Sequence, residues 1–267
     1  MKHRLLTILG LVLGCCPAAY GQADLAPTGT LRAAYLATNP AQAIRNAQTG
    51  EIRGASYDLA QALAKQIGKP LDFKPIASPP AVIEAVKNGE ADIGFVAYEA
   101  TRLGTVEFSQ TYMLVQQSFL VPGDSPIRAV ADVDRPGQKI AGTRADSITL
   151  CMKRVLKQAT LVELKSNPEL VVKALTGKEV DGFGASRQRL ATLMRSVPGS
   201  RALPDSFFNV PQNIIVPKDK LQVLAAVDAF IDEMRASGFL RDAIAKGGAV
   251  GVEAAPKSPG SQHGCPG

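Results

Sequence analysis

From Gly54 to Phe95 the spacing of apolar positions alternates between helical and extended periods. Leu59, Leu63 and Ile67 fall on one stripe of a helix over residues 57–67, and Gly68 ends it. Ser78 is placed to cap a second helix, with prolines at the next two positions. Val82, Ile83 and Val86 give that helix its apolar face and Gly89 stops it. Residues 91–97 then read as a buried strand.

The same unit recurs downstream. Val82-Ile83-Glu84-Ala85-Val86 with Glu90-Ala91-Asp92 matches Val171-Val172-Lys173-Ala174-Leu175 with Glu179-Val180-Asp181, at one offset of 89 (174 − 85). Amphipathic helix followed by strand is common enough for chance to produce such a match. The alternative is two α/β lobes of similar build, because alternating strands and helices favour a parallel sheet covered on both faces.

The apolar run before Val121-Pro122-Gly123-Asp124-Ser125-Pro126 ends in turn formers and marks a candidate lobe boundary, with a second crossing near Pro211 to Asn213. Residues 221–234 form a strongly amphipathic helix presenting Leu224, Val227, Phe230, Ile231 and Met234. A shorter helix is expected over 239–246. After Gly247 the chain turns to Gly, Pro, Ser and Ala, which predicts a disordered tail over 248–267.

Composition narrows the function. With 46% hydrophobic and 20% charged residues in 267, the chain can bury a sizeable core. Its +6 formal charge is interspersed with acidic residues, and without a basic run nucleic acid is not an expected partner. Lys2 and Arg4, then the apolar stretch 5–13, then small residues read as an export signal over 1–23, cleaved after Gly21 or Ala23. Val12-Leu13-Gly14-Cys15 offers lipid attachment at Cys15 as a rival.

Beyond that leader only Cys151 and Cys265 remain, the second in the tail, so a disulfide framework is not expected to carry stability. The only histidines are His3 and His263, both outside the expected folded region. Histidine catalysis and zinc chemistry are disfavoured, and no cofactor is expected.

Gly29-Thr30-Leu31-Arg32, Gly54 with Tyr57-Asp58-Leu59-Ala60, Asn88-Gly89-Glu90-Ala91-Asp92-Ile93, and Thr101-Arg102 followed by Val106-Glu107-Phe108-Ser109 and Tyr112 occur in a telling order. Together they resemble family 3 of the extracellular solute-binding proteins, across roughly residues 29–246. The resemblance implies a two-lobed type II periplasmic-binding-protein fold of α/β class, with a ligand cleft between lobes joined by two crossing strands. The expected division is a first lobe over 24–113 and 212–247 and a second over 114–211.

In that family an arginine four residues before the Val-Asp/Glu-Phe-Ser run grips the ligand carboxylate, and Arg102 holds that place. A guanidinium fork suits a planar carboxylate, and such a bond contributes about 1.5–3 kcal/mol when shielded from water. The alternative is an ordinary surface arginine. Tyr98 stands where the family carries a Ser/Thr-rich stretch, about two residues shorter here. Asn39 either closes the near wall of the cleft or forms a turn ahead of Pro40.

In the second lobe Arg144-Ala145-Asp146-Ser147 replaces the family's Gly-Thr-Thr or Gly-Ser-Thr turn. Ser147 keeps a hydroxyl, and Asp146 either receives a cationic ligand group or caps the helix that follows. Ser186 falls where amino-acid binders carry the aspartate that holds the α-ammonium. A carboxylate ligand without an α-amino group therefore fits better, since a buried unpaired ammonium is costly.

The resemblance implies a monomeric, non-enzymatic periplasmic protein that hands a small carboxylate-bearing solute to an ABC permease. Two alternatives stay open. One is a cyclohexadienyl-dehydratase-like enzyme recruiting Asp146 or Glu99, and the other an accessory or sensing protein of a periplasmic oxidation system.

Overall fold

The computed structural model describes residues 24–257 and 264–265. The expected export signal and the Cys15 attachment point lie outside the described residues. The chain begins with β1 (Leu31–Leu36), an antiparallel pair β2 (Ile44–Arg45) and β3 (Ile52–Arg53), α1 (Ala55–Gln66), β4 (Leu71–Ile76), α2 (Pro79–Lys87), β5 (Ile93–Ala97) and the long β6 (Val106–Pro122). It continues through β7 (Lys139–Thr143), α3 (Ser147–Val155), β8 (Thr160–Leu164), α4 (Pro168–Thr176), β9 (Gly182–Ser186), α5 (Arg187–Ser196), β10 (Ser200–Ala202) and β11 (Phe208–Pro217). The closing elements are α6 (Leu221–Ala236), α7 (Phe239–Gly247) and β12 (Val252–Ala254).

One mixed sheet runs in the order β4-β1-β5-β11-β6-β9-β7-β8. β1 pairs in parallel with β4 and β5, and β7 in parallel with β8 and β9. Between these two parallel triplets lie β6 and β11, antiparallel to each other. β11 joins β5 through Gln212–Ile215, while β6 joins β9 through Gln117–Leu120. These are the two strands that cross between the lobes.

Each lobe is a parallel sheet covered on both faces. In the first, Ala33 and Tyr35 of β1 point toward α1, α6 and α7, where Leu59, Leu63, Phe230 and Leu240 are buried. Ala34 points the other way, under Val82 and Val86 of α2. An aromatic series runs through this core, from Tyr35 stacked on Phe73 at 4.3 Å to Phe95 and Tyr112 in edge contact. In the second lobe Ala141, Phe183 and Ala185 face α4 and α5, while Ile140 faces Ile148 and Met152 of α3. A Cβ at Gly184 would stand 2.9 Å from Ile148, so α3 sits directly on a glycine-floored stretch of sheet.

The 89-residue repeat is structural. α2 and α4 begin at Pro79 and Pro168, and β5 and β9 end at Ala97 and Ser186, each pair at the same offset (168 − 79, 186 − 97). Ser78 and Asn167 cap the two helices through their side chains. Asp92 accepts from the backbone N–H of Arg32 and Asp181 from that of Lys139, both at 2.8 Å. The acidic residue before each strand thus pins the neighbouring parallel strand in register.

The described residues after Gly247 depart from the disorder expected of them. β12 pairs antiparallel with Met113–Val115 of β6, and Cys265 is bonded to Cys151 of α3, 114 positions away. Backbone pairing needs few large side chains, so the Gly/Pro/Ala composition did not prevent it. A disulfide therefore does contribute to this architecture.

Candidate functional site

A cavity of about 50 Å³ lies where the parallel strands of both lobes end. Sites outside the carboxyl ends of strands are the rule in α/β sheets, because loops and helix starts converge there. From the first lobe come Thr38 and Asn39 after β1, Ala97 at the end of β5, and Arg102 in the short helical turn that follows. From the second come Asp146 and Ser147 at the start of α3, and Ser186 and Arg189 at the start of α5. Gln117 and Gln212 of the crossing strands line it as well.

Arg102 is 7% exposed. Its Nη1 donates to the Ala97 carbonyl at 2.6 Å, and its Nη2 donates across the cleft to that of Ala145 at 2.7 Å. Burial pushes the guanidinium below its ordinary value, and Asp146 and Glu99 offset only part of that. Ala145 is held at φ 65°, a left-handed conformation that costs a non-glycine residue about 1–2 kcal/mol.

Asp146 occupies the N-cap position of α3 without making a side-chain cap bond. Its Oδ2 accepts from Arg189 Nη1 at 2.9 Å instead. Burial raises the Asp146 carboxyl above its usual range, while Arg189 and then Arg102 pull it back. Arg189 also lies over the Phe183 ring, its Cζ 5.3 Å from the centroid, and its Nη2 has no hydrogen-bond partner among the described residues.

The other expected residues divide by what their side chains already do. Ser147 Oγ is buried without a partner among the described residues. Ser186 Oγ accepts from the Arg189 N–H as the cap of α5. Asn39 Oδ1 accepts from the Ala41 N–H at 3.2 Å, so it both forms the turn and lines the cavity. Tyr98 is not among the lining residues; its ring packs edge-on against Phe108 at 5.3 Å.

Two features of the site escaped the sequence. Gln42, fully buried, accepts from Leu36 N–H and donates to Phe95 O and to Gln212 Oε1, tying β1, β5 and β11 together beneath the cavity. Arg189 is the other. Its signal was positional, in the first turn of the helix after a parallel strand, where α/β folds place ligand contacts.

The lobes are bridged beside the cavity. Arg154 Nη1 reaches Glu99 Oε1 at 2.8 Å, and Ser166 Oγ donates to Ala77 O at 2.9 Å. With the Arg102–Ala145 contact, these make the arrangement a closed one.

The model of the bacterial extracellular solute-binding proteins, family 3, matches residues 31–246. A glutamine-binding protein of Geobacillus stearothermophilus is 27% identical over 64% of this chain and 66% of its own length. The ABC transporter glutamine-binding protein GlnH of Bacillus subtilis (strain 168) is 24% identical over 73% of the chain and 72% of its own. Among solved structures, an ancestral arginine-binding protein bound to glutamine superimposes with a TM-score of 0.71 at 23% identity, over 84% of this chain and 98% of that one.

Proposed function

The chain belongs to the bacterial extracellular solute-binding proteins, family 3, and on that footing we propose that it captures a small carboxylate-bearing polar solute, an organic acid or amino-acid-like molecule, between its lobes. It then delivers that solute to an ABC permease in the inner membrane, acting in the periplasm as a monomer. The observation that carries this reading is a cavity lined by both lobes, holding the buried guanidinium of Arg102 and bridged by it to Ala145.

The mechanism follows from differential affinity. A solute touching Arg102 on one wall and Ser147 on the other makes its full set of bonds only when the lobes are together, so binding shifts the population toward the closed form. That form is what the permease reads. Asp146 and Glu99, the acids an enzymatic reading would recruit, each carry an arginine partner.

A thermal-shift screen of the mature chain against organic acids and amino acids tests this. At least one carboxylate should raise the melting midpoint, because a ligand that binds only the folded state stabilises it. Arg102→Ala should fold and lose that response, a drop in affinity of about thirtyfold or more. An unchanged response in the variant removes Arg102 from the site.

A further inference from the structure

Among the described residues lining the cavity three are charged: Arg102, Arg189 and Asp146, a formal sum of +1. Glu99, which stands behind Arg102, is matched by Arg154. A charge enclosed without a partner is unfavourable, so this sum favours a ligand that brings one negative charge of its own.

The unused hydrogen-bonding groups agree with that sum. Arg189 Nη2, Ser147 Oγ and Thr38 Oγ1, on residues that line the cavity, are buried without partners among the described residues, and all three can donate. A carboxylate only accepts, so it suits them. An α-ammonium is best met by a carboxylate, yet Asp146, the one carboxylate among the described lining residues, is paired with Arg189, and Ser186 Oγ is engaged by the start of α5. The Phe183 ring beneath Arg189 holds its guanidinium in place independently of any ligand.

The volume sets the size. A cavity of about 50 Å³ has room for about three to five water molecules. The neutral remainder of the ligand is therefore short.

Resting on the reading of this cavity as a carboxylate site, we propose that it selects a compact monoanion over the zwitterion of an α-amino acid, and that Arg189 is the residue that sets this preference. Arg102 and Arg189 together face one carboxylate, while Asp146 cancels the charge that would otherwise admit a dianion.

Three probes of similar size and different charge test the proposal by calorimetry: sodium l-lactate, l-alanine and sodium malonate. The wild-type chain should bind l-lactate at least tenfold more tightly than either of the others. Arg189→Gln lowers the cavity sum to zero, so l-lactate should weaken at least tenfold and l-alanine should equal or overtake it. Asp146→Asn raises the sum to +2 and should move the preference to malonate, which keeps the test available if Arg189→Gln does not fold.

Binding of l-alanine by the wild type as tight as that of l-lactate overturns the charge argument and leaves the proposed function standing. A wild type that binds some larger carboxylate through Arg102 but none of the three probes overturns the charge and size argument alone. No binding of any carboxylate overturns both.

Discussion

The two lobes share a plan but divide the labour differently. The first is held by an aromatic series, Tyr35, Phe73, Phe95 and Tyr112, under three helices. The second rests α3 on a glycine-floored sheet, supplies Asp146 and Arg189 to the cavity, and is tied to the C-terminal segment by Cys151–Cys265. Both lobes bury large rings, Phe119 and Phe183 in the second, and the first links four of them in one contacting series. In the second lobe close backbone approach brings the start of α3 to the cavity.

That contrast can be broken from either side. Phe73→Ala removes a ring stacked in the first core and should cost about 3–5 kcal/mol in urea denaturation while leaving ligand affinity unchanged in the folded protein. A comparable loss of affinity would show that the first core also shapes the site. Cys265→Ser opens a 114-residue linkage and should cost about 2–4 kcal/mol. Hydrogen exchange should then speed up in α3 and stay unchanged in α1, and equal acceleration of both would contradict a local tie.

Gly184→Ala places a Cβ 2.9 Å from Ile148 and should cost about 1–3 kcal/mol. Unlike Phe73→Ala, it should also weaken binding, because α3 carries Asp146 and Ser147. Retained affinity would separate α3 from the ligand.

The smallest expected effect is on pH dependence. Burial raises the Asp146 carboxyl in the folded protein, so the folded state holds that proton more tightly than the unfolded chain. Its contribution is complete below the ordinary aspartate value near 3.9 and is lost as pH rises through the folded-state value. Wild-type stability should therefore decline relative to Asp146→Asn as pH increases from about 4. Parallel curves for the two proteins would contradict the assignment.

Much of the scaffold was legible in local pattern. The stripe Leu59, Leu63, Ile67 and the cap at Ser78 depend on neighbours in sequence, and both are where spacing put them. The offset of 89 was visible because both copies keep the helix, the turn and the aspartate that joins the strands.

The site was legible only in part. Arg102, Asn39, Asp146, Ser147 and Ser186 meet around one cavity, and Tyr98 faces Phe108. The contacts that give these residues their character span long separations: Arg189 with Asp146 across 43 residues, Gln42 with Gln212 across 170. The tail misled for a related reason. Composition describes what a segment can bury by itself, whereas β12 and Cys265 are held by what β6 and α3 offer them.

In the proposed function the lobes close over a carboxylate gripped by Arg102. The most direct measurement is a crystal structure of the mature chain grown with the carboxylate that most raises its melting midpoint. The lobes should be closed, with the ligand carboxylate within hydrogen-bond reach of the Arg102 guanidinium. A ligand bound away from this cavity, or lying in it with its carboxylate turned from Arg102, would contradict the proposed function.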